Sequence, residues 1–306
     1  FFKMPILLQG SEAISKVKAW KGLRLSVLDV RDEEDHVNGH IPCSVSIPGS
    51  ELSQRVSELP PQGISIQVVG NTMDQLNDIV EQLKNKRYDT EYMVLWSKEL
   101  QEGLEKEDNL STGKVCTDTL WTASPCLAET IEIIEKMLID SQVIDDLSQA
   151  KALDLACGGG RDMVFLGLRN WGKIIGIDYL SQQVDRTIRF INRYNINAEV
   201  IQHDLEKDGL LIDRFRDSCH LVTVARYLYR PHFPELKHLI APGGFLVFHT
   251  FMKGCENTTV GRPKREKFLL NYNELAEHFN PDTGFEIIQN EVKNISDGRP
   301  TSFFVA

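Results

Sequence analysis

Ala150-Lys-Ala-Leu-Asp-Leu-Ala-Cys-Gly-Gly-Gly-Arg-Asp162 decides the fold of the second half of this 306-residue chain. An apolar strand over 152–156 runs into the glycine cluster Gly158-Gly159-Gly160, and a helix opens at Arg161. Glycines let the backbone turn tightly and approach a ligand closely, and a helix N-terminus aims free N–H groups and a positive dipole end at that spot. The next strand, 173–178, ends in Asp178, 18 residues after Gly160. A carboxylate at that place can hold a ribose diol. A nucleoside-bearing cofactor is therefore expected.

The loop departs from the G-x-G-x-x-G pattern of dinucleotide sites. It carries an acid, Asp154, on the strand itself, and Ala156 stands in the place of a first glycine. An acid there repels a pyrophosphate but suits a cationic amino-acid head group. A third acid closes the next strand, Ala198-Glu-Val-Ile-Gln-His-Asp204-Leu205, where it can accept from an exocyclic adenine amine. Residues 221–225 read as strand four, Ala241-Pro-Gly-Gly244 as a turn, and 245–250 as strand five. This ordered set resembles the class I S-adenosylmethionine (SAM)-dependent methyltransferases. The resemblance implies an α/β, Rossmann-like domain with a seven-stranded mixed sheet, its final strand antiparallel between its neighbours. It also implies that Asp154 and the Gly158–Gly160 loop take the methionine part of S-adenosyl-L-methionine. Asp178 would take the ribose, and Asp204 the adenine, with Leu205 packed on the ring. Ala156, Cys157, Arg161, Tyr179 and Ala225 complete the expected cofactor contacts.

A finer likeness rests on Leu120-Trp121-Thr-Ala-Ser-Pro125, Arg226-Tyr227-Leu-Tyr229-Arg230-Pro231, His249-Thr-Phe251, Phe268-Leu-Leu270 and Asp297-Gly-Arg299-Pro300. It is to methyltransferases related to the tellurite-resistance and thiopurine types, and it covers most of 115–306. In that architecture the residues after strand four face the methyl group. Arg226 and Tyr227 are the expected catalytic residues. Arg226, Tyr229 and Arg230, with Trp121 closing the pocket and His249 at the end of strand five, are the expected acceptor site. Two arginines at that mouth suit an anionic or polarisable acceptor.

In the first hundred residues, Val27-Leu-Asp29-Val-Arg31-Asp-Glu-Glu34, Gly39-His40-Ile-Pro42 and Ser46-Ile-Pro48 resemble a rhodanese domain. That family implies a nucleophilic cysteine after a later strand. Here the strand is 64–69 and the loop is Gly70-Asn-Thr-Met-Asp-Gln75, with no cysteine between Gly63 and Asn85. Sulfur transfer needs a thiolate, so the domain is expected to be catalytically silent. Cys43 beside the His40–Pro42 turn reads as a small packed thiol.

The length suits two domains, drawn as 1–107 and 125–306 with a polar linker over 108–124. An amphipathic helix is expected over 125–140, with Leu127, Ile131, Ile134 and Leu138 inward. Further helices are expected over 161–170, 181–194, 232–240 and 271–279, and last strands over 286–292 and 301–305. No apolar run is long enough to span a membrane. The six cysteines form no Cys-x-x-Cys pair and no metal spacing with histidine. Reduced thiols in the cytoplasm, and no metal, are expected. Net charge is −10: residues 1–107 carry 12 basic against 17 acidic side chains, and 108–306 carry 22 against 27. That weighs against broad nucleic-acid binding, and a small molecule, a thiol or chalcogen compound by resemblance, is the expected acceptor. The alternatives are an RNA or protein acceptor recognised through the front domain, and a non-catalytic SAM-binding scaffold. Three retained strand-end acids argue against the scaffold.

Overall fold

The computed structural model describes residues 4–113 and 119–306, and the chain divides into two compact units, 1–121 and 122–306. The first holds a parallel sheet of five strands: β1 (Ile6–Leu8), β2 (Ser26–Asp29), β3 (Ser44–Ser46), β4 (Ile66–Gly70) and β5 (Thr90–Leu95). Their order is β1-β5-β4-β2-β3. Helices α1 (Gly10–Lys18), α2 (Glu33–Asn38), α3 (Met73–Asn85) and α4 (Lys98–Lys106) connect them. The sheet is covered on both faces, so Val27 and Leu28, like Val68 and Val69, are buried in succession rather than alternating with exposed residues. Leu28 and Val68 join one core with Ile79 and Leu83 of α3. Val27 and Val69, their chain neighbours, join a second core with Ala13, Val17, Leu100 and Leu104 of α1 and α4.

The division at 121/122 differs from the linker expected over 108–124. Asn109 is buried, Ser111 pairs with His40 in a β-bridge, and Leu120 packs in the first unit's core. A polar composition concealed these anchors, because backbone pairing needs no apolar side chain.

The second unit holds α5 (Pro125–Asp140) and a sheet of β6 (Lys151–Leu155), β7 (Lys173–Asp178), β8 (Ala198–Gln202), β9 (Cys219–Ala225), β10 (Ile240–His249), β11 (Gln289–Asn294) and β12 (Pro300–Val305). The order is β11-β12-β10-β9-β6-β7-β8. β12 runs antiparallel to both neighbours, and the pairs between β8 and β10 are parallel. This is the mixed seven-stranded, Rossmann-like sheet that the resemblance implied, the final strand included. Helices α6 (Arg161–Leu168) and α7 (Ser181–Arg193) follow β6 and β7. On α5, Leu127, Ile131, Ile134 and Leu138 all face inward. Its Glu135 takes Arg169 at 2.8 and 2.6 Å and the Trp171 indole N–H at 2.9 Å. The expected helix over 232–240 is instead three short turns, Arg230–His232, Phe233–Leu236 and Lys237–Leu239. The Ala241–Gly244 turn lies within β10, as an irregularity where its register on β9 shifts between Ile240 and Phe245. Among the described residues no helix is long and apolar enough to cross a membrane.

Candidate functional site

The strand order reverses between the parallel neighbours β6 and β9, and the carboxyl end of such a switch point is where open α/β sheets bind ligands. Two non-glycine residues stand there with left-handed backbones: Ala156 after β6 (φ 57°) and Arg226 after β9 (φ 58°). Such conformations cost free energy and collect at functional sites. The Arg226 N–H is fixed on the His249 carbonyl at 2.7 Å, across to β10.

The glycine loop is tied from three sides. Cys157 N–H donates to Ile177 O at 2.9 Å, Gly158 N–H to Asp178 Oδ2 at 2.9 Å, and the Thr187 hydroxyl of α7 to Gly158 O at 2.8 Å. Gly158 (φ 54°) has no protein atom within 4 Å of where a Cβ would stand, so the space over it is open. Gly160 (φ 77°) ends the loop as the N-cap of α6. Burial, with Asp154 nearby, pushes the Cys157 thiol up, so it is a neutral packing group.

A cleft of about 470 Å³ opens beside this loop, lined by Ala156, Asp178, Asp204, Leu205, Tyr227 and Tyr229 among others. Asp178 Oδ1 takes the Leu180 N–H at 2.9 Å. Asp204 caps the turn Leu205–Asp208, its Oδ1 taking the N–H groups of Glu206 and Lys207 at 3.1 and 3.2 Å, while Oδ2 takes no hydrogen bond among the described residues. Tyr179 lies largely in solvent on the rim. Asp154 is buried, and its Oδ1 accepts from the Thr223 hydroxyl at 2.9 Å. Burial first, then the neighbouring Asp162, drive the Asp154 carboxyl well above the usual range.

The expected catalytic and acceptor residues are dispersed. Tyr227 and Tyr229 line the cleft with Asp204, and the Tyr229 hydroxyl donates to Glu206 O at 3.4 Å. The buried Tyr227 hydroxyl has no hydrogen-bond partner among the described residues, and burial, then Glu206, push its pKa up. Both tyrosines thus belong with the strand-end acids of β7 and β8, not beside Arg226. Arg230 is engaged elsewhere: it pairs with Glu274 and donates to Leu269 O at 2.8 Å. His249 is buried, its Nδ1 2.8 Å from Ser302 O. Burial pushes its pKa down to about 4, so the imidazole is neutral at physiological pH, and its Nε2 lacks a partner among the described residues. Trp121 is a buried residue of the first unit. Arg226 is exposed and makes no ion pair among the described residues. Desolvation and then Arg299 lower its pKa, while Asp162 and Asp297 raise it.

Two site residues escaped the sequence reading. Arg299, which clasps Asp297 at 2.7 and 3.0 Å and lies over the Phe251 ring, stands in the field of Arg226. Asp162, in the first turn of α6, is buried and takes the Ser124 N–H at 2.6 Å. The Arg299 signal was present in the quoted Asp297-Gly-Arg299. The Asp162 signal was an acid directly after the glycine loop.

In the first unit, the buried Asp29 and Arg31 form a two-toothed pair at 2.9 and 2.7 Å. Arg31 also donates to Gly39 O and stacks on Trp96, and His36 Nδ1 meets Asp29 Oδ2 at 3.0 Å. The loop after β4 is filled by its own helix. Gln75 accepts from Asn71 N–H at 2.9 Å and donates to Val30 O at 2.8 Å.

No family model matches the chain. An uncharacterized protein of Schizosaccharomyces pombe, UNK4.09, is 23% identical over 332 residues, covering 95% of each chain. Similar solved structures include a SAM-dependent methyltransferase from Aquifex aeolicus (15% identity, 58% of this chain and 96% of that one, TM-score 0.37). TehB from Haemophilus influenzae is 16% identical over 56% of this chain and 66% of its own, with a TM-score of 0.41. Magnesium protoporphyrin IX methyltransferase from Synechocystis, with bound SAH, is 16% identical over 64% and 88%, with a TM-score of 0.40.

Proposed function

We propose that the chain is a cytoplasmic SAM-dependent methyltransferase acting on a small-molecule acceptor, fused to a catalytically silent rhodanese-like domain. The observation that carries this reading is that Asp178 and Asp204, at or beside the carboxyl ends of β7 and β8, line one cleft beside the glycine loop, with Asp154 buried on the strand that enters that loop. The donor set fits the cofactor. Asp204 Oδ2 is free to accept from an adenine amine, Asp178 lines the cleft where ribose hydroxyls would lie, and the open space over Gly158 admits a close-lying ligand. Bound SAM supplies a methyl group already activated by its sulfonium. The chain has to align the acceptor and exclude water, so a dedicated base is not required.

Arg226 is the residue assigned to the acceptor. It is a guanidinium with no ion pair among the described residues, held by a strained backbone at the switch point, with Arg299 replacing Arg230 as its neighbour. Residues 251–270 carry five basic and two acidic side chains, net +3 within a chain of −10. That local balance supports an anionic or polarisable acceptor. Methyl transfer from labelled SAM to small thiols, total RNA and lysate protein tests the reading. Arg226→Ala should lower turnover about tenfold or more, roughly 1.4 kcal/mol per tenfold, with SAM affinity little changed. Transfer only to RNA would replace the small-molecule reading. An equal loss of SAM affinity would make Arg226 part of the cofactor site.

The five parallel strands and the Asp29–Arg31 pair support a rhodanese-like first unit. Its β4 loop has no thiol, and the Gln75 carboxamide occupies the backbone N–H of Asn71. The full chain should show no thiosulfate sulfurtransferase turnover with cyanide as acceptor. Turnover that vanishes in Cys43→Ser would reveal a displaced nucleophile; turnover that survives it would defeat the assignment.

A further inference from the structure

We propose that the methyl acceptor carries a phosphate ester group, held by Arg226 together with Arg262, Lys264 and Arg265 of the loop that leaves β10, and that Arg299 positions this loop. The proposal rests on the methyltransferase reading and names the chemical class of its acceptor.

The loop over 253–270 is a built element. Two backbone hydrogen bonds close its base, Leu270 N–H to Phe251 O at 2.9 Å and Lys253 N–H to Leu270 O at 3.0 Å. Inside it, the Gly261 N–H donates to Thr258 Oγ1 at 3.3 Å, and that hydroxyl donates to Cys255 O at 2.7 Å. The Cys255 thiol donates to Pro300 O at 3.2 Å, at the start of β12. Arg299 ties the loop to the sheet a second time. Its Nε and Nη2 grip Asp297 at 3.0 and 2.7 Å, and its Nη1 donates to Arg262 O at 3.2 Å. The guanidinium lies over the Phe251 ring, 4.3 Å from its centre. Phe251 stands two residues beyond His249, whose carbonyl fixes the Arg226 N–H at 2.7 Å. Arg226 and the loop are therefore anchored to the same end of β10, at the switch point.

The cations here lack carboxylates. Elsewhere, surface cations of this chain sit on acids: Lys18 on Glu107, Arg214 on Glu199, Lys293 on Glu129. Within the loop, Lys253 and Glu266 pair with each other at 2.7 Å. Arg226, Arg262, Lys264 and Arg265 are all exposed, and none makes an ion pair among the described residues. Like charges held together repel, and a bound anion removes that repulsion. A carboxylate brings one charge, whereas a phosphate monoester brings about two at neutral pH, with three strong acceptor oxygens. Arginine forks and a lysine point charge are suited donors for such oxygens. An extended polyanion fits less well, because the basic run is confined to a few residues of a chain that is otherwise acidic. The exposed Val260 and Phe268 flank the run in sequence and offer apolar surface to the body of a small acceptor.

Inorganic pyrophosphate is the probe for calorimetry on the full-length chain saturated with S-adenosylhomocysteine. It should bind, and acetate should give no measurable heat. Lys264→Gln with Arg265→Gln should weaken pyrophosphate about tenfold or more, with S-adenosylhomocysteine affinity and thermal melting unchanged. Arg299→Lys keeps the charge but cannot hold Asp297 and the Arg262 carbonyl together, so it should weaken pyrophosphate severalfold. Lys84→Gln with Lys86→Gln removes the same charge from the first unit and should change nothing. With labelled SAM, methyl transfer to a small-molecule cell extract should be lost when the extract is first treated with phosphatase. Absent pyrophosphate binding, wild-type affinity in the loop variant, or an equal loss in Lys84→Gln with Lys86→Gln would overturn the proposal. So would methyl transfer that survives phosphatase. Single-stranded RNA binding more tightly than pyrophosphate, and weakened by the same loop variant, would replace the small acceptor with a nucleic acid. A wild-type chain that does not bind S-adenosylhomocysteine would instead defeat the methyltransferase reading itself.

Discussion

A chain carrying Gly160→Val is expected to lose SAM binding by about a hundredfold or more, equivalent to about 2.7 kcal/mol. Gly160 holds φ at 77°, and a Cβ there would lie 2.5 Å from Thr187 Cγ2. The left-handed backbone alone costs a branched residue about 1–2 kcal/mol. The collision is worse, because Thr187 cannot withdraw without releasing the Gly158 carbonyl that its hydroxyl holds at 2.8 Å. Loop shape and the first turn of α6 are lost together. Gly158→Ala is the milder contrast, since its Cβ meets no protein atom and only the φ of 54° is strained. Calorimetry beside a thermal melt separates lost binding from lost folding. Wild-type affinity in Gly160→Val would mean that this loop is not the cofactor cradle.

Asp29→Ala should destabilise the first unit by about 3–5 kcal/mol, the scale for stranding one member of a buried ion pair. Arg31 would keep its Gly39 carbonyl and its Trp96 stack but lose both carboxylate oxygens, while only 1% exposed. Burial lifts the Asp29 carboxyl, but hydrogen bonds from His36 and Arg31 outweigh that and hold its pKa below the usual range. A depressed carboxyl stabilises above its unfolded pKa of about 3.9 and loses that contribution as pH falls through the folded value. Wild type should therefore lose part of this stability in strong acid, and Asp29→Ala should not. Urea unfolding followed by tryptophan fluorescence measures both. A loss under about 1 kcal/mol would show the pair to be marginal.

The strands of the second unit were legible because their signals are local. The expected strand over 173–178 is β7 itself, 221–225 lies within β9, and 301–305 lies within β12. Apolar runs ended by an acid or a glycine carry their own boundaries. The same held for α5, whose apolar spacing named the buried face. The site was legible in part. Asp154, Asp178 and Asp204 stand at strand ends that periodicity can find. What lay out of reach was the direction of side chains in irregular segments. Arg226, Tyr227 and Arg230 lie within five residues, yet they reach the switch point, the cleft wall and Glu274 respectively. Three short turns follow, where a regular helix had been expected, so no period assigned their faces. Asp162 escaped for another reason: its partner Ser124 is 38 residues earlier in the chain.

The placement of β12 also bears on how this protein is made. Among the described residues β11 pairs only with β12, and β12 bridges it to β10. During synthesis, β11 leaves the ribosome before the strand that will attach it, and β10 waits with one edge bare. Sheet closure in the second unit is thus a late, long-range event, with Ala306 and Leu246 exchanging backbone hydrogen bonds at the seam. The first unit, whose strands all precede residue 96, can fold while the other is still being translated. A nascent chain stalled before residue 300 would present open strand edges, and that interval is where chaperone protection matters most.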